Sequence, residues 1–192
     1  HPVVSLDDAL SGLDKGSYDM LIADMPATLE FQERYRLTEP LYLDRQVLLQ
    51  HRDSLGNIAN PVSSVLDLAG RHVWVVSNSP MQSRLQSLSA EIGDTIYVES
   101  TPEYNSEQLY LLTSIGEIGL AVINERLARD MATDRKTGAK DKTVDISTGI
   151  TFTQHQSWVL RRDSEQLAAR IDSLIVDFKA TDAYKALCKR YL

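Results

Sequence analysis

Short apolar runs alternate with helical patterns along most of the chain. A helix is predicted from Ser79-Pro80 onward, because serine before proline favours a helix start and the apolar residues that follow recur with helical spacing. Those apolar positions are Met81, Leu85, Leu88 and Ile92. Buried strands are predicted at residues 18–23, 73–76, 95–99, 119–123 and 152–160. This alternation predicts an α/β fold with largely parallel sheets.

Two helical patterns end the chain, at residues 164–179 and 182–191. The first predicts one apolar face, which would need a sheet to cover it. The residues of that face are Leu167, Ile171, Leu174, Ile175 and Phe178. We expect the chain to leave a first sheet, build a second one, and return to the first with these helices.

The stretch of residues 18–50 carries the strongest functional signal. An apolar strand at residues 20–23 opens into a short loop at residues 24–28, and a polar segment follows. The motif Thr38-Glu39-Pro40-Leu41-Tyr42 then leads into a second strand at residues 46–49. Because α/β folds bind ligands where strands open at their carboxyl ends, we expect a ligand held between two lobes.

Length and charge narrow the class of protein. The chain has 192 residues and a formal net charge of −7, with its lysines and arginines scattered. Phosphate binding needs a clustered basic face, so nucleic acid is not the expected partner. No apolar run approaches the ~20 residues that span a bilayer. The single cysteine, Cys188, lies in a helical pattern and is expected to be a small core residue.

No catalytic or metal-binding pattern stands out. Glu30 and Glu33 lie within one helical turn, but no partner carboxylate in an aromatic cleft accompanies them for glycoside cleavage. The histidines lack the spacing of metal ligands. We therefore expect no enzyme activity, no metal and no cofactor in this segment, although a longer parent protein could carry a catalytic domain.

The order of the motifs resembles the type 2 periplasmic solute-binding proteins, in particular the family 3 group that binds polar amino acids. The resemblance rests on Gly16-Ser17-Tyr18-Asp19, the loop at residues 24–28, Thr38-Glu39-Pro40-Leu41-Tyr42, Leu68-Ala69-Gly70 and Asn78-Ser79. It covers essentially the whole chain. The sequence is similar also to the non-catalytic N-terminal module of membrane-bound lytic murein transglycosylase F.

The resemblance implies a two-lobed α/β clamshell. Residues 1–44 would form part of lobe one, residues 45–152 lobe two, and residues 153–192 the return to lobe one. Hinges are expected at residues 42–47 and 153–158. Family members carry an opening strand and helix ahead of these motifs, so we expect a fragment whose first lobe lacks its N-terminal portion.

The resemblance also implies a function. The expected protein lies in the periplasm or cell envelope, held by a lipid anchor on a segment before His1. It would close over a small polar ligand, amino-acid-like or muropeptide-like, and serve a membrane permease of the ABC type or a sensor. The alternative is a regulatory module attached to a cell-wall-cleaving enzyme domain.

The resemblance places ligand contacts on both lobes. The candidate residues are Asp24, Met25, Thr28, Tyr42, Asn78, Ser79 and Asn124. Each has a structural alternative: Asp24 and Thr28 could stabilise a strand end, and Tyr42 could pack at the hinge. Ser79 could act as a helix N-cap, and Asn124 could cap the segment that follows it.

Three positions depart from the family pattern. Phe31 stands where amino-acid binders carry an arginine that clamps the ligand carboxylate. Pro80, which has no backbone N–H, stands at the helix start that normally binds an anion. Asn124 replaces the acidic residue that holds the ligand ammonium. Arg34 and Arg36 could be a relocated anion contact or surface charges. A free amino acid is therefore not the expected ligand.

Overall fold

The computed structural model describes residues 5–133 and 138–191, except for the side chains of Glu30 and Tyr191. The helices are α1 (Leu6–Asp14), α2 (Leu29–Arg34), α3 (Pro80–Ile92), α4 (Ser106–Ser114), α5 (Glu125–Met131), α6 (Glu165–Lys179) and α7 (Asp182–Tyr191), with a 3-10 turn at Val65–Leu68. The strands are β1 (Met20–Pro26), β2 (Arg36–Leu37), β3 (Tyr42–Asp44), β4 (Gln46–His51), β5 (His72–Val76), β6 (Tyr97–Thr101), β7 (Leu120–Asn124), β8 (Val144–Asp145) and β9 (Gln154–Leu160).

The chain divides into two compact units. Unit 1 comprises Asp44–Thr153 together with the described residues before Asp8, and unit 2 comprises Asp8–Leu43 and the chain from Gln154 onward. Unit 1 contains a five-stranded sheet in the order β6-β5-β7-β4-β8. In unit 2, β1 and β2 flank β9, which also pairs with β3.

The sheet of unit 1 has buried apolar side chains on both faces. On one face, α3 packs Met81, Leu85 and Leu88 against a cluster that includes Leu48 and Val122. On the other, Leu109 and Tyr110 of α4 belong to a second cluster with strand residues. The predicted helix from Ser79-Pro80 is confirmed, with Ser79 as its N-cap.

The expectation of largely parallel sheets is wrong. β5 is parallel to β6 and β7, but β4 is antiparallel to β7 and β8, and β9 is antiparallel to β1 and β2. The helices α3 and α4 connect β5, β6 and β7, and a parallel pair requires such a crossover. The antiparallel strands do not depend on a crossover helix, which explains why strand-helix alternation alone missed them.

The loop predicted at residues 24–28 is shorter in the structure. β1 continues to Pro26, so Asp24 and Met25 are strand residues. The polar segment that follows contains α2, which the sequence pattern did not predict. Thr28 caps it, because the Thr28 side chain accepts a hydrogen bond from the Phe31 N–H at 3.4 Å.

The predicted apolar face of α6 is only partly buried. The helix buries Ala168 and Ile175, which lie two turns apart, while Leu167, Leu174 and Phe178 are exposed. The strand predicted at residues 152–160 begins at Gln154. None of the helices in the described ranges is long and apolar enough to cross a bilayer.

Candidate functional site

Four polar residues of unit 1 lie at one edge of its sheet. β5 and β7 are parallel, with Trp74 opposite Ala121, so their carboxyl ends meet at the same edge. The antiparallel β4 begins at that edge. We call this set the polar edge, and its members are Gln46, Asn78, Ser79 and Asn124. Three of the four are sequence candidates, and Gln46 is not.

Asn78 lies in the left-handed backbone region, with φ of 53°. Its backbone N–H donates to Gln82 Oε1 at 2.7 Å. Its side-chain Nδ2 donates to Asp7 Oδ1, also at 2.7 Å. The side chain is exposed, but donors on both the backbone and the side chain of Asn78 already have protein acceptors.

Ser79 uses its hydroxyl to fix the start of α3. The hydroxyl donates to the Val76 carbonyl oxygen at 2.5 Å and accepts from the Gln82 N–H at 3.4 Å. The next residue, Pro80, has no N–H to offer. The N-terminus of α3 therefore presents fewer donors to an anion than a helix start ordinarily does.

Asn124 ends β7 and occupies the N-cap position of α5, yet its side chain makes no capping hydrogen bond. Asp44 takes that role, because Asp44 Oδ1 accepts from the Arg126 N–H at 3.3 Å. Asn124 Oδ1 is buried and has no hydrogen-bond partner within residues 5–133 and 138–191. The structure therefore contradicts the alternative in which the Asn124 side chain caps α5.

Gln46 lies directly opposite Asn124 in the β4–β7 ladder. Its side chain is 2% exposed, and Gln46 Oε1 is also buried without a partner in the described chain. The Gln46 backbone N–H donates to Thr151 Oγ1 at 2.9 Å, so the main chain is held while the side-chain oxygen is not. Sequence reasoning missed Gln46 because a single glutamine at a strand start carries no pattern.

The charges beside the polar edge are paired. Arg45 Nε donates to Glu125 Oε2 at 2.6 Å, and Arg129 Nη2 donates to Glu125 Oε1 at 2.7 Å. These bonds, the one from Arg45 above all, lower the pKa of Glu125 to about 2. Burial raises the pKa of Asp44, while backbone hydrogen bonds from Arg45 and Arg126 oppose the shift.

Unit 2 holds the other four sequence candidates. Asp24 is exposed and Met25 is buried, both on β1, while Thr28 caps α2 and Tyr42 lies half-buried on β3. Two backbone N–H groups next to these candidates donate hydrogen bonds to the first half of β9. The Ala27 N–H donates to the His155 carbonyl at 3.1 Å, and the Leu41 N–H donates to the Gln156 carbonyl at 2.7 Å.

Two polar side chains of β9 are buried in the same region of unit 2. Gln156 lies opposite Pro26, and Ser157 lies opposite Met25. Gln156 Oε1 and Ser157 Oγ have no hydrogen-bond partner among the residues that the structure describes. Buried polar atoms are usually satisfied, so this part of unit 2, like the polar edge, is exceptional.

Phe31 is a core residue of unit 2. Its side chain is 6% exposed and its ring centroid lies 5.9 Å from that of Tyr35. Arg34 forms an ion pair with Asp14 and stacks over the Tyr35 ring at 5.1 Å. Arg36 is exposed on β2. Arg34 already has a carboxylate partner, so the structure does not favour it as a relocated anion contact.

Metal binding has no candidate in the described ranges, since no group of three or more His, Cys, Asp or Glu side chains there could hold an ion. The polar edge offers uncharged oxygens instead.

The fold is that of the type 2 periplasmic binding proteins. The sequence profile of the bacterial extracellular solute-binding proteins, family 3, matches residues 2–192. The chain therefore belongs to that family. The members of this family are described as solute-binding proteins.

One curated relative is the membrane-bound lytic murein transglycosylase F of Desulfosudis oleivorans, 25% identical over 191 residues. The match covers 96% of this chain, and the chain spans only 38% of that relative's length.

Solved structures share the fold at low sequence identity. An ancestral arginine-binding protein bound to arginine has a TM-score of 0.80 at 19% identity, with coverage of 100% of this chain and 79% of that one. A chain from work on glutathione import in Gram-positive bacteria, through GshT and the cystine importer TcyBC of Streptococcus mutans, scores 0.80 at 17% identity, covering 99% and 76%. A histidine kinase sensor domain scores 0.77 at 18% identity, covering 98% and 75%.

Proposed function

We propose that this chain is an extracytoplasmic binding module for a small polar ligand, serving uptake through an ABC-type permease or sensing. The observation that carries the proposal is the buried, unpartnered Asn124 Oδ1 at the polar edge. Leaving a buried acceptor unsatisfied costs about 1–3 kcal/mol. A ligand that donates a hydrogen bond to this oxygen would remove that cost, and binding would be favoured by the same amount.

A ligand screen tests the proposal. Purified protein is subjected to thermal-shift measurement with free amino acids, blocked amino acids, dipeptides and muropeptide fragments, and each hit is confirmed by calorimetry. A ligand present at 100 times its Kd should stabilise the protein by about 2.7 kcal/mol. The absence of any calorimetric binder across the whole screen would refute the binding function.

Substitution of the candidate residues then tests the site. Asn78→Ala, Ser79→Ala and Asn124→Ala probe the polar edge, and Thr28→Ala and Tyr42→Phe probe the candidates of unit 2. Asp24 and Met25 stay predictions under the same test. Asn60→Ala, at an exposed position in unit 1, is the control, because Asn60 shares with Asn78 a φ of 53° but lies outside the polar edge.

A second candidate is a regulatory module of a membrane-bound lytic murein transglycosylase, favoured by the match to the Desulfosudis oleivorans enzyme over 191 residues. In that case muropeptide fragments should bind more tightly than free amino acids in the screen. Sequencing the coding region on both sides of this segment gives an independent test. A permease gene nearby favours uptake, whereas a continuous reading frame into a catalytic domain favours the module.

A further inference from the structure

We infer that the ligand is an uncharged molecule that hydrogen-bonds through amide-type groups to Gln46 and Asn124, which we call the amide pair. The inference rests on the proposed binding function and adds to it the chemical class of the ligand. It assigns Gln46 as a specificity-determining residue beside Asn124.

The ladder geometry brings the amide pair together. The Glu125 N–H donates to the Arg45 carbonyl at 2.8 Å, so the next pair inward, Gln46 and Asn124, is one without mutual backbone hydrogen bonds. In that kind of antiparallel pair the Cα atoms are about 4.5 Å apart and the side chains lie close, on the same face of the sheet. The two side-chain amides therefore lie next to each other.

Both members of the amide pair have an unpartnered oxygen in a buried place. Gln46 is 2% exposed, and the exposed area of Gln46 Oε1 and of Asn124 Oδ1 is below 1 Å² each. Another glutamine on the same strand shows the usual outcome: the Gln50 side chain donates to the Val62 carbonyl at 2.9 Å and accepts from the Val62 N–H at 2.8 Å. The protein provides hydrogen-bond partners for both polar atoms of the Gln50 side chain, but none of the described residues provides a partner for Gln46 Oε1.

The carboxylates on either side of the amide pair already accept hydrogen bonds from the protein. Glu125 already binds Arg45 and Arg129, and Asp44 accepts two backbone N–H groups, from Arg45 and Arg126. A charged group buried against neutral amides would lose its hydration without gaining a counter-ion. A carboxamide carries no charge whichever of its two polar atoms faces the ligand, so the pair selects for neutrality.

The anion side of a free amino acid also lacks a partner. The Ser79 hydroxyl donates to Val76, Asn78 donates to Gln82 and Asp7, and Pro80 has no N–H. A blocked or peptide-bonded residue, with neutral amides in place of its ammonium and carboxylate, fits this chemistry.

Calorimetry with matched ligands tests the charge preference. For alanine and for glutamine, four forms are compared: the free amino acid, the N-acetyl acid, the amino amide, and the N-acetyl amide, which alone has no charged group. We expect the N-acetyl amide to bind at least about 10-fold more tightly than the other three forms. Equal or tighter binding of the free amino acid, or no binding of either N-acetyl amide, would overturn the inference.

Two kinds of substitution test the residues. Asn124→Asp and Gln46→Glu should each move the preference toward the cationic amino amide by about 10-fold or more, as a carboxylate pairs with the ammonium. Gln86→Glu, at an exposed position on α3, makes the same charge change away from the polar edge and should leave the preference unchanged. An unmoved preference in both Asn124→Asp and Gln46→Glu counts against the inference.

Apolar isosteres separate binding from folding. Gln46→Met and Asn124→Leu remove the unpartnered oxygens, and we expect each to raise the melting temperature while weakening binding at least about 10-fold. A lowered melting temperature with unchanged affinity would show that the amides have a structural role. A free amino acid that binds when no N-acetyl amide does would leave the binding function standing and refute only this inference.

Discussion

The Arg45–Glu125–Arg129 cluster adjoins the amide pair, and its removal should have a measurable and pH-dependent cost. The pKa of Glu125 falls from its ordinary value of 4.5 to about 2, chiefly through the Arg45 hydrogen bond. At about 1.4 kcal/mol per pKa unit, that difference corresponds to about 3 kcal/mol of stability at neutral pH. The Arg45 and Arg129 side chains are partly exposed, so solvent screening reduces the expected cost of Glu125→Gln to about 2 kcal/mol.

The sign of the pH dependence follows from the lowered pKa. A carboxylate with a lower pKa in the folded state stabilises the protein above its unfolded-state pKa, and the contribution disappears as pH falls from 4.5 toward about 2. The gap in unfolding free energy between the parent and Glu125→Gln should therefore be largest near neutral pH. It should shrink steadily below about pH 4.5.

Urea unfolding measured by tryptophan fluorescence gives the assay. The chain has two tryptophans, Trp74 in unit 1 and Trp158 in unit 2, so a Trp158→Phe background leaves Trp74 to report on unit 1. Glu91→Gln is the matched control, because the Arg84–Glu91 pair has the same 2.6 Å contact as Arg45–Glu125, while the Glu91 side chain is more exposed than that of Glu125. Its loss should cost under about 0.5 kcal/mol. The reasoning is refuted if both variants cost the same, or if the Glu125→Gln gap persists on acidification.

Three further substitutions test the packing around the site. Gln50→Leu leaves the buried Val62 N–H without its acceptor, while the Val62 carbonyl keeps the hydrogen bond from the Thr148 hydroxyl at 2.7 Å, and the change should cost about 1–3 kcal/mol in urea unfolding; a neutral result would show that the Val62 N–H finds another partner. Phe31→Arg buries an unpaired charge beside Tyr35 and should cost about 3–5 kcal/mol. Calorimetry of that variant should show no gain in affinity for free amino acids, and a gain would contradict the placement of Phe31 in the core. Ser79→Ala removes the α3 cap and should cost about 1 kcal/mol, with Ser79→Thr, which keeps the hydroxyl, close to neutral; equal losses in both variants would exclude a capping role.

Local patterns predicted the elements whose signals are local. α3 begins at Pro80 after the Ser79 cap and buries Met81, Leu85 and Leu88, as the serine-proline pair and the helical spacing indicated. α2 was missed, because six residues provide too little periodicity to distinguish a helix from a polar loop. The end of β1 was placed three residues early, since strand ends depend on pairing with β9 rather than on β1 itself.

For the candidate site, too, some features follow from local sequence and others only from the tertiary structure. From contiguous residues the sequence by itself determined the α/β class and the helix start at Ser79-Pro80, and the order of its motifs indicated the family. The replacement of charged ligand partners by Phe31 and Asn124 stays a prediction. Only the tertiary structure placed Gln46 opposite Asn124 and gave the α5 cap to Asp44, leaving two buried amide oxygens unpartnered. Strand register and hydrogen-bond satisfaction depend on residues about eighty positions apart in the chain, and no local pattern carries that information.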